Sequence, residues 1–434
     1  MKKVLILTVT AGEGHNSVAS SLKTKFESYD DVKVKTLDIF KEYSSKTKAF
    51  FIDDGYRAAC KYALGIYNMI YKALLKRDPL KKETSPAQKT IEKETPYILK
   101  AILDFKPDLI LCTHFYGAII LTNIRKLYPL NVKIGAVLTD YCVHPFWEAT
   151  TGIDYIFTPC EEVESTLISK GFKKEQIVCL GLPVKEKFSI NRNKNECREK
   201  LKLNKDLFTV MLMTGGGGFG GIKNLFKSLL KVKTPIQIIV INGKDKNSKK
   251  SISNIIKFSK PKHKIINLAF INNIEEYMCA SDCLVGKCGG ISTTESLCSR
   301  LPLISISRLA EQELANLKFL IEKNACFVID VKHKLNKIID EIIANPKLLE
   351  DKKKNIDKIR KPNALNDICE FMLKDSTADY SILTILEKIS NKEILRGIRE
   401  AKKQIEKYDK TRKNVLIVKA KNLSKNKMKR KRQN

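Results

Sequence analysis

Phe208-Thr209-Val210-Met211-Leu212-Met213 runs directly into Thr214-Gly215-Gly216-Gly217-Gly218-Phe219-Gly220-Gly221, and this junction decides the fold. A short apolar run bounded by glycines reads as a buried strand, and a glycine cluster between a strand and a helical pattern reads as a phosphate-facing turn. Each glycine raises the conformational entropy lost on folding. So many at one strand end favour a close approach of backbone to a ligand, with Gly215 and Gly216 as candidate contacts.

Downstream of this junction the same alternation continues through Ile236 to Ile241, Ile265-Ile266, Cys283-Leu284-Val285 and Leu303-Ile304-Ser305. Upstream, beyond the polar stretch Asn191 to Asn204, lies an earlier series: Val4 to Val9, Val32-Lys33-Val34, Leu109 to Cys112 and Ile134 to Leu138. Short buried strands separated by helices imply parallel sheets with ligands at the carboxyl ends of the strands. The fold class is therefore α/β, with two Rossmann-like doubly wound domains at 1–190 and 200–375. A basic helical extension, 376–434, follows and closes in Lys425-Asn426-Lys427-Met428-Lys429-Arg430-Lys431-Arg432, a tail expected to be disordered unless bound.

Other strand ends carry candidate chemistry. Thr10-Ala11-Gly12-Glu13-Gly14-His15 closes the first strand and opens a helix. His15 there is suited to proton transfer beside a reacting hydroxyl, and equally to capping the helix. The spacing is neither GxGxxG nor a P-loop, so the turn supports neither a dinucleotide nor a nucleoside-triphosphate site. Gly286-Lys287-Cys288-Gly289-Gly290 leads into Ser292-Thr293-Thr294-Glu295, whose amides and hydroxyls suit a diphosphate. Glu295 could accept from ribose hydroxyls or serve as an ordinary first-turn acid. Glu311-Gln312-Glu313-Leu314-Ala315-Asn316 offers amide and carboxylate groups for sugar hydroxyls, or a solvated helix start.

With 43% hydrophobic and 29% charged residues, the composition is globular, not disordered or fibrous. No run reaches the roughly 18 apolar residues of a spanning helix. Met1-Lys2-Lys3 passes straight into a strand pattern, so neither an anchor nor a signal peptide is expected. The 12 cysteines contain no CxxC pair and read as reduced core residues of a cytosolic protein, with no metal site. A net charge of +32 points to a polyanionic partner, nucleic acid or anionic lipid, or to lysines merely decorating solvated faces.

Taken in order, Gly12 to His15, Thr139-Asp140-x-x-x-His144-x-x-Trp147, Gly181-Leu182-Pro183, the cluster at Gly215, Lys287-x-Gly289-Gly290 with Glu295, and Gln312-Glu313-x-x-Asn316 span residues 4 to 330. That series resembles the glycolipid-forming glycosyltransferases of the monogalactosyldiacylglycerol synthase and bacterial processive diacylglycerol β-glucosyltransferase family. The resemblance implies the GT-B fold of a family 28-like glycosyltransferase, its two domains facing a central cleft. It implies a UDP-sugar, UDP-glucose or UDP-galactose, held mainly by the C-terminal domain, and a hexose transferred with inversion and without metal or other cofactor. Gly14, Gly215, Gly216, Lys287, Gly289, Gly290, Ser292, Thr293, Glu295, Gln312, Glu313 and Asn316 would bind the donor. Diacylglycerol or a glycosyl-diacylglycerol would sit on the N-terminal domain near His15, Asp140 and His144, the catalytic candidates, among which the base is left open. The sequence departs from the family pattern in two places: Cys288 replaces a proline, and Ala310-Glu311 replaces Pro-Gly. Both touch the donor loops, so donor identity and activity are the properties they put in question.

Between Phe50 and Lys82, apolar and aromatic residues including Phe51, Tyr56, Tyr67 and Tyr71 recur at helical spacing, flanked by cations such as Lys61. Such a stripe faces a core or sinks into anionic headgroups. The resemblance favours the membrane, with Trp147 beside the acceptor and the protein held peripherally on the cytoplasmic face. Three rival readings stand beside it. One is a polyprenyl-linked acceptor, and another a non-catalytic nucleotide-sugar sensor. The third, a nucleic-acid binder built on the basic tail, lacks any recognition motif, so no specific nucleic acid is expected.

Overall fold

The computed structural model describes residues 1–10, 13–43, 65, 68–69, 86–213, 221–307, 309–381, 383, 392–394, 396–397 and 399–400. The expectations for Gly215 and Gly216, for Phe51, Tyr56, Lys61, Tyr67 and Tyr71, and for the tail beyond residue 400 lie outside them.

The first domain runs β1 (Lys2–Thr8), α1 (Glu13–Phe26), β2 (Val32–Asp38), α2 (Ile39–Tyr43), α3 (Pro86–Phe105), β3 (Leu109–Cys112), α4 (Phe115–Leu127), β4 (Asn131–Val137), β5 (Tyr155–Phe157), α5 (Glu164–Ser169) and β6 (Ile177–Val178). The second runs α6 (Lys194–Lys200), β7 (Thr209–Met213), α7 (Ile222–Leu229), β8 (Gln237–Ile241), α8 (Lys246–Ser259), β9 (Lys264–Leu268), α9 (Ile274–Ala280), β10 (Cys283–Gly286), α10 (Gly290–Cys298), β11 (Leu303–Ile306), α11 (Glu311–Glu322), β12 (Cys326–Ile329), α12 (Leu335–Ala344) and α13 (Lys347–Ile359).

Both sheets are the doubly wound parallel sheets the strand pattern predicts, because helices cover both faces and the strands must be apolar throughout. All five residues of β7 are buried, as are the last five of β1. The first sheet has the order β2-β1-β3-β4-β5-β6 and the second β12-β11-β10-β7-β8-β9. The order reverses between β1 and β3 and between β7 and β10, and the crevice beyond such a reversal is where a doubly wound sheet takes its ligand. The loops after these strands are the ones the sequence singles out.

The chain then departs from the expected boundary at 375. Helix α14 (Ala364–Lys374) returns to the first domain, burying Leu365, Ile368, Cys369 and Met372 against Val4, Ile6, Phe26, Leu109 and Leu111. Its apolar stripe completes a core that β1 and α1 leave open, so the second unit ends at the turn after α13. A short strand, β13 (Ala378–Asp379), adds antiparallel to the start of β4. Within the basic extension the described residues of 392–400 are helical, and Ile394 is buried. Among the described residues, no helix is long and apolar enough to cross a membrane.

Candidate active site

Three strand ends of the first domain converge. His15 lies in the first turn of α1; His114 follows β3 and caps α4; Asp140 and His144 follow β4. The His15 Nδ1 lies 2.7 Å from the Thr113 carbonyl oxygen, which can only accept, so Nδ1 carries the proton and Nε2 is left with its lone pair. Thr139 Oγ1 is 3.4 Å from the same Nδ1. Burial lowers the His15 pKa to about 4, partly offset by the Thr113 bond, which keeps the ring neutral.

His114 and His144 take the opposite tautomer. His114 Nδ1 accepts from the Tyr116 N–H at 3.1 Å, and His144 Nδ1 accepts from the Phe146 N–H at 3.3 Å, capping the short 3₁₀ turn Pro145–Thr150. When neutral, both rings therefore carry hydrogen on Nε2. Burial lowers the His114 pKa well below the usual value, with the charges of His15 and His144 acting in the same sense. Burial lowers that of His144 to about 4, helped by the Lys170 charge. His114 meets His15 edge to face with ring centroids 4.4 Å apart, and Phe115 stacks on His144 at 4.8 Å. Trp147, expected beside the acceptor or the membrane, is 3% exposed. Its indole packs edge-on to Phe115 and braces the histidine shelf from behind, reaching no surface.

The second domain brings α10 and α11 against this shelf. Asp140 Oδ1 accepts from Asn316 Nδ2 at 2.8 Å, and the Gly290 N–H also bonds to the Asp140 carboxylate. Burial raises the Asp140 pKa to about 6, with the Asn316 bond opposing and the Glu313 charge adding to it. A Cβ on Gly290 would lie 1.9 Å from the Thr139 carbonyl oxygen, an approach only glycine permits. At Gly14 a Cβ would meet Ile291 at an ordinary 3.5 Å, so α1 and α10 face each other across the junction. Gly289 is the N-cap residue of α10, and Ser292 Oγ turns back to its carbonyl at 3.4 Å. Thr293 Oγ1 is buried with no hydrogen-bond partner among the described residues. Lys287 Nζ lies 3.7 Å from Glu313 Oε2. Gln312 takes the second position of α11, on the same first turn as Glu313.

Glu295 turns elsewhere. Burial raises its pKa to about 7, against the charges of Lys185 and Lys187 and with that of Glu275. Asn316 is fully buried and commits its amide to protein partners. The structure thus gathers His15, Asp140, His144, Gly290 and Asn316 at the domain junction and sets Glu295 on a separate flank.

Both departures from the family loops are accommodated. Cys288 is wholly buried, and its carbonyl accepts from Asn316 Nδ2 at 2.8 Å. Asn68 brackets Glu311: its Oδ1 accepts from the Glu311 N–H and its Nδ2 donates to Leu309 O, each at 3.1 Å. Sequence reading passed over His114 and Tyr141. The signal for His114 was present, since Thr113-His114-Phe115 sits between a strand and a helix just as His15 does. Among the described residues, no group of three or more His, Cys, Asp or Glu could hold a metal ion.

Two parallel-sheet Rossmann-like domains, joined at their strand ends and linked by a crossing C-terminal helix, define the GT-B fold. Residues 15–184 match the monogalactosyldiacylglycerol (MGDG) synthase family and residues 209–368 the glycosyltransferase family 28 C-terminal domain. The chain thus carries an MGDG synthase domain followed by a glycosyltransferase family 28 C-terminal domain, and it is an enzyme of glycosyl transfer. A processive diacylglycerol beta-glucosyltransferase of Bacillus licheniformis is 26% identical over 376 residues, covering 85% of this chain and 95% of that protein. One of Bacillus thuringiensis is 25% identical over 390 residues, covering 88% and 96%. Among solved structures, Acinetobacter baumannii MurG superposes with a TM-score of 0.57 at 13% identity, covering 86% of this chain and all of that one. A UDP-GlcNAc 2-epimerase of Neisseria meningitidis bound to UDP-GlcNAc gives 0.54 at 16%, with 86% and full coverage. These two likenesses speak to the fold alone.

Proposed function

We propose that this enzyme moves a hexose from UDP-glucose or UDP-galactose to diacylglycerol, or to a glycosyl-diacylglycerol, with inversion, while bound peripherally at the cytoplasmic membrane surface. The observation that carries the reading is the His15 tautomer: Nδ1–H is tied to the Thr113 carbonyl, which leaves Nε2 unprotonated, and the ring lies beside Thr139, whose carbonyl packs against Gly290 at the start of α10. In this scheme Nε2 takes the proton of the acceptor hydroxyl as its oxygen bonds to the anomeric carbon. The bond from that carbon to the UDP diphosphate breaks, and the electron pair leaves with UDP. A single displacement of this kind inverts the centre. Charge growing on the leaving diphosphate meets the first turn of α10 and Lys287, and the scheme calls on no metal ion. The names of the Bacillus relatives support diacylglycerol as acceptor. The aromatic and basic stretch 51–82 and the net charge of +32 support an anionic lipid surface.

The test incubates the purified chain with vesicles of diacylglycerol and phosphatidylglycerol, offers UDP-glucose and UDP-galactose separately, and identifies lipid products by mass spectrometry. We expect a hexosyl-diacylglycerol from one donor. In His15→Ala its formation should fall about 10²- to 10⁴-fold, the usual worth of a general base, with nucleotide affinity nearly unchanged. No lipid product from either donor, with UDP still bound, would overturn the reading in favour of a polyprenyl-linked acceptor or a nucleotide-sugar sensor.

A further inference from the structure

The side-chain amide of Asn316, in the second turn of α11, has three partners and no exposed surface. One Nδ2 hydrogen goes to Asp140 Oδ1 and the other to the Cys288 carbonyl, each at 2.8 Å, while Oδ1 accepts from the Tyr141 N–H at 2.7 Å. An amide carries only two hydrogens, so none is left for a sugar hydroxyl. The neighbouring contacts converge on the same loop. The Tyr141 ring stacks on Phe319 of α11 with centroids 4.6 Å apart. Its hydroxyl lies 3.0 Å from Thr294 Oγ1, which in turn donates to Gly290 O at 2.9 Å. Gly290 supplies the close backbone approach to Thr139 described above.

We propose that Asn316 is a positioning residue and not a sugar contact: it holds the Asp140 carboxylate and the Cys288 carbonyl in one network, fixing the loop after β4 against the loop after β10. The loop expected to face the acceptor and the loop expected to face the donor are thereby aligned by a single buried amide. The role of that alignment in turnover rests on the hexosyl-transfer reading above.

The test is a double-mutant cycle with Asn316→Ala and Asp140→Ala, read as hexosyl-lipid turnover, UDP-glucose affinity by calorimetry, and amide exchange at Tyr141. Asn316→Ala should lower kcat about 10²-fold, as misplacement of reacting groups does, with UDP-glucose affinity within about threefold of wild type. It should add little further loss in the Asp140→Ala background, since residues that act as a unit are non-additive. The Tyr141 amide should exchange faster in either single Asn316 variant that breaks the network. Asn316→Asp, nearly isosteric, separates the two roles. A carboxylate still accepts from sugar hydroxyls but gives Asp140 and Cys288 no hydrogen, so turnover should fall at least as far as in the alanine variant. Losses that multiply across the cycle, UDP-glucose affinity weakened more than tenfold while UDP binds normally, or an Asn316→Asp enzyme of near-normal turnover would each overturn the assignment. If the wild type makes no hexosyl lipid, the hexosyl-transfer reading falls, and the exchange and affinity measurements still decide whether Asn316 binds the sugar or holds the loops.

Discussion

Glu295 keeps its proton up to a pH at which ordinary glutamates are ionised, because burial raises its pKa from 4.5 to about 7 and the Lys185 and Lys187 charges only partly oppose this. Between those two values the folded protein holds a proton that the unfolded chain has released. Its contribution to stability is therefore complete below pH 4.5 and is lost as pH rises through about 7. Glu295→Gln removes that dependence. Its melting temperature relative to wild type should rise steadily between pH 5 and pH 8, and a difference that stays flat across this range would show that the carboxyl titrates normally. His15 and His144, lowered to about 4, act in the opposite sense, costing stability as pH falls from about 6.5 toward 4, but they are common to both proteins and cancel in the comparison.

At the scale of elements, α11 shows how a helix start can be completed from elsewhere in the chain. Its N-cap residue, Ala310, has no side-chain oxygen to offer the first-turn amides, and Asn68, some 240 positions earlier, supplies one to Glu311. Asn68→Ala should cost about 1 kcal/mol of local stability, the usual worth of a cap, and appear as faster amide exchange over residues 311–314 with β11 unchanged. Unaltered exchange there would mean the cap contributes nothing. This pairing also marks where the sequence stops being informative. Strand ends and the position of His15 at a helix start were legible because each depends on neighbours within a few residues, whereas Asp140 and His144 entered only through the family resemblance. Gly290 was legible as a special glycine, yet the Thr139 carbonyl that excludes a side chain there lies on the other domain. The Tyr141 to Asn316 bond spans 175 positions and leaves no periodic trace. Asn316 accordingly read as one more polar group on a ligand-facing helix, when its amide is in fact committed to a bond network between domains.

For the whole molecule, the consequence of the GT-B topology is that the two cores are not separated at one point in the chain. Strand β1 and helix α1 form early in the sequence, but the surface they share is closed by α14, which follows the whole of the second domain. The 3.6-residue stripe of Leu365, Ile368, Cys369 and Met372 predicts a helix with one buried face and says nothing of which sheet receives it. A boundary drawn at 375 assigns that face to the second domain, whereas its buried residues pack against β1, α1 and β3 of the first. The assignment is testable with one substitution. Ile368 is wholly buried, so Ile368→Ala leaves a cavity that should cost about 2–5 kcal/mol. If α14 belongs to the first core, amide exchange should quicken in β1 and β3 while β7 and β10 keep wild-type protection. Loss of protection confined to β7 and β10 would instead place the helix with the second sheet, and the crossing that ties the two domains together would have to be abandoned.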